Sequence, residues 1–158
     1  MFVHTNVVIT AMGAMENKDQ SLLTRTAVIE MILSGTWVQD HLSEALKPYK
    51  LSIAQFNVLR ILRGQKGKPA SLACVNDKMI HKMSNTTRLV DKLLKKGLVD
   101  RIICPNNRRM IELTITSEGL ELLKELDVVI DKTEEQLMSN LAPNEVNALV
   151  ELLQKLKE

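Results

Sequence analysis

Arg88, Lys92 and Lys95, with Ser84 one turn ahead of Arg88, are the residues whose types and spacing offer chemistry to a partner. At roughly 100° per residue, these four share one side of a helix, while Thr86, Leu89, Val90, Leu93 and Leu94 fall within an arc of about 140° on the other. One face presents cations to a polyanion and the other packs. Ser84 has the hydroxyl that an N-cap needs, and Gly97 can take the left-handed conformation that ends a helix. Taken alone, residues 84–97 are an ordinary amphipathic helix with a solvated basic face.

The flanking stretches change that reading. Upstream, Leu72, Val75 and Met79 recur at helical spacing in a segment capped by Ser71, and residues 80–83 then form a tight turn. Downstream, residues 98–104 and 110–116 are short runs rich in β-branched side chains, joined by Pro105, Asn106, Asn107, Arg108 and Arg109. That pattern is a β-hairpin with a basic tip. A helix, a turn, a second helix and a hairpin make a winged helix, an arrangement in which the second helix enters the major groove of DNA.

Charge is divided to match. Residues 60–109 hold 13 Lys and Arg against 3 Asp, whereas the remaining residues hold 8 Lys and Arg against 16 Asp and Glu, so the net +2 hides a basic middle and acidic ends. A soluble protein without a polyanionic partner intersperses its signs; a basic block of this size is an electrostatic footprint for phosphate. With 45% apolar and 25% charged residues, the 158-residue chain is globular. No apolar run approaches the roughly 18 residues that a transmembrane helix needs, and the apolar patch Val7 to Met15 has no Lys or Arg ahead of it as a signal peptide would. A cytoplasmic protein is expected, with Met12 and Met15 as alternative starts.

Other chemistries find little support. Cys74 and Cys104 form neither a disulfide framework nor a zinc motif, and His4, His41 and His81 lack ligand spacing, so no metal or other cofactor is expected. No glycine-rich phosphate loop, nucleophile elbow or spaced carboxylate pair marks an enzyme.

The elements around this centre can be read in order. Leu22, Leu23, Val28, Ile29, Ile32, Leu33, Trp37, Val38, Leu42 and Leu46 predict a helix from Ser21 that Pro48 ends. Ser52 caps a second helix carrying Ile53, Phe56, Leu59 and Leu62. Thr116 or Ser117 opens a long helix to about Asn140, and Pro143 opens a last one with Val146, Leu149, Leu153 and Leu156. The terminal helices carry more apolar surface than a winged helix of about 65 residues can cover, which implies a homodimer. The expected organisation is a flexible segment 1–20, a dimerisation helix 21–50, a winged helix-turn-helix domain 51–116 and dimerisation helices 117–158. The fold class is mainly α with a small β-hairpin wing.

The strings LSIAQFNVLRIL, SNTTRLVDKLLKKGLVDR and NNRRMIELTITSEG resemble the MarR family, the multiple antibiotic resistance type of bacterial transcription regulators, over roughly residues 30 to 156. The resemblance implies an obligate homodimer and a repressor that binds a pseudo-palindromic operator. By position it makes Ser84, Asn85, Thr87 and Arg88 the base-reading segment and Arg109 the wing arginine. With Lys82, Lys92 and Arg108 these form the candidate DNA-binding set. The family has Asp two residues before the wing arginine, where this chain has Asn107, which removes the charge that would orient Arg109. The resemblance also implies release by a small aromatic or amphipathic effector. Three of the four aromatics, Trp37, Tyr49 and Phe56, lie with His41 at the junction of the first two helices and are the candidate effector residues. Members that sense oxidants carry a cysteine near the start of the first long helix, and this chain has none there, which leaves Cys74 and Cys104 as the redox candidates. The competing reading is a winged-helix module that binds protein or RNA without sequence-specific DNA readout.

Overall fold

A computed structural model describes residues 4–80, 86–103 and 111–158, with side chains from Asp19 onward in those ranges, Ile103 and Ile111 excepted. The chain divides into two compact units, Met1–Asp40 and His41–Glu158.

The first unit is helical. Helix α1 spans His4–Leu46, so residues 4–20, expected as a flexible segment, are helix, and the start expected at Ser21 moves to His4. No proline occurs before Pro48, and Gly13 and Gly35 each cost only about 1 kcal/mol relative to alanine. Thr24, Thr26 and Thr36 donate their hydroxyls to the carbonyls of Gln20, Leu22 and Ile32, one turn earlier, so these polar side chains are satisfied inside the helix. Leu22, Leu23 and Ile32 are each more than 60% exposed.

The second unit holds the core. Pro48 stops α1 and opens a 3₁₀ turn, Lys47–Tyr49, after which Lys50 takes a left-handed conformation at φ 54°. Helix α2 spans Ile53–Gly64 behind a reciprocal cap: Gln55 N–H donates to Ser52 Oγ at 3.2 Å, and Ser52 N–H donates to Gln55 Oε1 at 3.1 Å. Strand β1 (Ala70–Ser71), helix α3 (Leu72–Lys78), helix α4 (Thr86–Lys95), and strands β2 (Val99–Ile103) and β3 (Ile111–Ile115) follow. The sheet is antiparallel in the order β1–β3–β2, with Ala70 opposite Leu113 and Val99 opposite Ile115. The hairpin was legible as alternating apolar runs; β1 was not, because two residues carry no periodicity. Helix α5 spans Ser117–Met138 and α6 spans Pro143–Lys155. Leu46, Leu59, Val75, Leu93, Leu113, Leu123 and Leu126 are all within 1% of full burial and form one continuous core. Arg63 on α2 pairs through both guanidinium nitrogens with Asp127 on α5. That hydrogen bonding holds the Arg63 pKa above its ordinary value. At about one-third exposure the pair contributes roughly 0–1 kcal/mol and serves mainly to orient the two helices.

The start of α5 is built against the end of α4. Thr116 Oγ1 accepts from Gly119 N–H at 3.0 Å as the N-cap and donates to the Gly97 carbonyl at 2.8 Å. Gly119 is buried, and a Cβ built there would stand 2.4 Å from the Leu98 carbonyl oxygen and 2.8 Å from Ile115 Cγ1. Both obstacles are held by the sheet and the cap, so neither can yield cheaply. Gly119→Ala is expected to destabilise the protein by about 1–3 kcal/mol through overpacking, while Gly35→Ala, with nothing within 4 Å, is expected to stabilise it by about 1 kcal/mol. Urea unfolding of the two variants checks both signs.

Candidate nucleic-acid interface

Helix α4 is positioned at both ends by local chemistry. At its C-terminus Gly97, at φ 70°, makes a Schellman cap: Leu98 N–H donates to the Leu93 carbonyl and Gly97 N–H to the Leu94 carbonyl. At its N-terminus Thr86 is 4% exposed, and its hydroxyl donates to Asn76 Oδ1 of α3 at 2.7 Å. Between the caps, Val90 and Leu93 are buried in the core, and Leu89 and Leu94 pack against it half-buried. The apolar arc read from the sequence is therefore the inner face.

The outer face is basic. Thr87, Arg88, Lys92 and Lys95 are all exposed, and Arg88, Lys92 and Lys95 line a groove of about 490 Å³ with Leu89 and Asp91. Three cations against one carboxylate on an open surface suit a polyanion; a small anion would need a closed shell of donors. Of the candidate DNA-binding residues, Thr87, Arg88 and Lys92 are exposed on this helix, whereas Lys82, Ser84, Asn85, Arg108 and Arg109 lie outside the described residues, as do Asn107, Cys104, His81 and the side chain of His4. Strand β2 adds the exposed Arg101. Lys96 turns away, with its Nζ donating to the Lys50 carbonyl at 2.6 Å; it anchors the end of α4 to the turn before α2. Reading by residue type missed Asn76, because an asparagine in a seven-residue helix has no periodic signature; only its contact with Thr86 distinguishes it.

The candidate effector residues are divided between the two units, Trp37 in the first and His41, Tyr49 and Phe56 in the second. Within the second unit a cavity of about 90 Å³ is lined by Leu42, Leu46, Phe56, Arg60, Ile130 and Glu134 among others. Phe56 is the member of the expected set that lines it. The Arg60 guanidinium stands 5.6 Å from the Phe56 ring centroid, within cation–π range. Tyr49 is half-buried elsewhere, His41 is exposed, and Trp37, 47% exposed, belongs to the first unit. Cys74 is a half-buried free thiol in the first turn of α3. No three His, Cys, Asp or Glu side chains among the described residues gather as a metal site, and no helix among them is long and apolar enough to cross a membrane.

Comparison with known proteins agrees with this geometry. The MarR family profile matches residues 51–111, from the start of the winged helix to β3. The HTH-type transcriptional regulator MhqR of Bacillus subtilis is 30% identical over 120 residues, covering 75% of this chain and 80% of that protein. The chain belongs to the MarR family. A MarR transcription factor from Planctomyces limnophilus shares 30% identity at a TM-score of 0.69, over 83% of this chain and 95% of that one. A mutant of E. coli MarR complexed with operator DNA shares 25% identity at a TM-score of 0.71, over 80% and 89% of the two chains. The winged helix of this MarR-family regulator thus coincides with its basic block, and its long helices with the acidic ends. Arg88→Ala is expected to leave the fold intact and remove about 1–3 kcal/mol of discrimination between DNA sequences, while Lys92→Ala weakens all duplexes alike. Competition titrations with specific and nonspecific duplexes separate the two effects, and an unchanged ratio in Arg88→Ala would contradict the assignment.

Proposed function

We propose that this chain works as a homodimeric transcriptional repressor in the cytoplasm, binding a pseudo-palindromic operator with α4 of each protomer in the major groove. The observation that carries the proposal is the two-faced α4, whose Val90 and Leu93 are core and whose Arg88, Lys92 and Lys95 stand exposed. In this reading Ser84, Asn85, Thr87 and Arg88 meet base edges, and Lys82, Lys92 and Arg108 meet phosphates. Arg109 enters the minor groove from the wing. The operator complex of the E. coli relative supports DNA as the partner. The role is binding, with no step of catalysis.

A second protomer is supported by the apolar surface left open. No residue of α6 is buried, and Leu149, Val150, Leu152, Leu153 and Leu156 are all exposed, as are Leu22, Leu23, Ile29, Ile32 and Leu33 of α1. Monomeric proteins rarely leave such stripes in water. Segments 21–50 and 117–158 would supply the dimer contacts and 51–116 the DNA contacts. Full-length protein should bind one duplex as a dimer, with recognition helices about 34 Å apart, and removal of residues 143–158 should abolish both dimer and operator binding. A well-folded, DNA-competent monomer in light scattering would refute this. In salt-series titrations Arg109→Ala should reduce the salt slope by about 1, and a uniform response to every duplex, or preference for single-stranded RNA, would favour the protein- or RNA-binding alternative.

Effector control is the remaining element, favoured by the Phe56–Arg60 cavity. At about 90 Å³ it is smaller than the roughly 150 Å³ that admits benzene, so a small aromatic acid must spread α2 from α5 to enter. That movement would couple binding to the winged helix. Salicylate is expected to weaken operator binding in wild type and to lose that effect in Arg60→Leu; equal salicylate affinity with and without operator would eliminate the cavity as a sensor.

A further inference from the structure

We propose that Asn76 is a positioning residue for DNA readout, which through Thr86 fixes the axial and rotational placement of α4 and thereby where Thr87 and Arg88 stand. The inference rests on the reading of α4 as the helix that reads sequence. Thr86 is the first residue of α4 and, with Gln55, one of two buried polar or charged residues among those described. Its Oγ1–H donates to Asn76 Oδ1 at 2.7 Å across the ten residues that separate them. The acceptor is itself held, because the Asn76 backbone carbonyl accepts the Met79 N–H that closes α3. Thr86 is buried and Asn76 half-buried, and Val75, Met79 and Val90, their neighbours along α3 and α4, are buried as well.

Apolar contacts of this kind resist separation of two helices but resist sliding and rotation only weakly, because dispersion has no preferred direction. A hydrogen bond weakens steeply with angle and distance. One such bond near Thr86 therefore selects an axial and rotational setting that apolar side chains at the same two positions would leave loose. The next two side chains are the exposed Thr87 and Arg88. A slip of one residue moves an α-helix by about 1.5 Å and turns it by about 100°, far beyond what a bidentate contact to a base edge tolerates. A buried polar group that fixes register rather than adding stability has its best-attested parallel in the lone asparagine of a coiled-coil core.

The experiment uses the full chain and two DNA probes: the duplex that wild type enriches from a randomised pool, and bulk genomic DNA. Thr86→Val keeps the shape and deletes the hydroxyl, Thr86→Ser keeps the hydroxyl and deletes the methyl, and Arg88→Ala serves as the control for readout. Thr86→Val is expected to lower the specific-to-nonspecific affinity ratio about tenfold, the size of one lost base contact, with bulk DNA affinity and thermal midpoint close to wild type. Thr86→Ser is expected to keep the ratio even though its lost methyl lowers stability. Asn76→Ala should reproduce the Thr86→Val ratio, and the double variant should fall no further, since the two groups act as one unit. A Thr86→Val protein that keeps the ratio while Arg88→Ala loses it overturns the positioning role and leaves α4 as the reader. Loss in both Thr86→Val and Thr86→Ser also overturns it, by making shape rather than the hydroxyl the cause. If Arg88→Ala keeps the ratio as well, α4 is not the reader and both proposals fall together.

Discussion

The fold of the DNA-facing unit depends on the meeting of two chain reversals, at Gly97–Leu98 and at Thr116–Gly119. The Gly97 carbonyl accepts the Thr116 hydroxyl, and the Leu98 carbonyl accepts the Thr116 N–H at 3.2 Å. The same Thr116 hydroxyl caps α5, and Gly119 leaves the space in which the Leu98 carbonyl sits. The end of α4, the start of β2, the end of β3 and the start of α5 are thus joined at one cluster of hydrogen bonds. Each group at this junction satisfies another, which is why the buried Leu98 and Gly119 leave none of these backbone groups unpaired. Lys96 and its bond to the Lys50 carbonyl add the turn before α2 to the same junction.

With α4 held there, charge and apolarity can be segregated. The basic residues concentrate between 60 and 109 and the acidic excess falls outside, so phosphate is attracted to one region of the molecule and repelled elsewhere. Apolar surface is segregated in the opposite sense. Leu59, Val75, Leu93, Leu113 and Leu126 are consumed by the internal core, while Leu149, Leu152 and Leu153 of α6 and Leu22, Leu23 and Leu33 of α1 remain exposed in a single chain. The amphipathic helices outside the winged helix are therefore unfinished by themselves, and the free energy of covering them is the driving force for association.

Effector sensing and sequence reading make different demands on rigidity. The Phe56–Arg60 cavity lies between elements joined by packing and by the partly exposed Arg63–Asp127 pair, contacts that can be remade at modest cost. The Asn76–Thr86 bond, by contrast, is partly buried and directional, so it constrains placement more than it adds stability.

Much of this was legible in the sequence. Periodicity marked the inner face of α4, Ser52 announced one helix start and the pair Thr116 and Ser117 another, Gly97 marked a helix end, and Pro143 an entry, because each of these signals acts within a few residues of itself. The basic block needed only counting. The start of α1 at His4 was missed since nothing in residues 4–20 forbids a helix and nothing there announces one. Strand β1 was missed because two residues become a strand only by pairing with Glu112 and Leu113, more than forty positions away. Phe56 shares its cavity with Arg60 and Ile130 through packing that no spacing rule encodes. The Asn76–Thr86 bond and the space beneath Gly119 likewise exist only when α3, α4 and α5 converge. Local propensities and composition determined the elements and their charge; tertiary structure alone decided which polar side chains meet, since that depends on distances between segments remote in sequence.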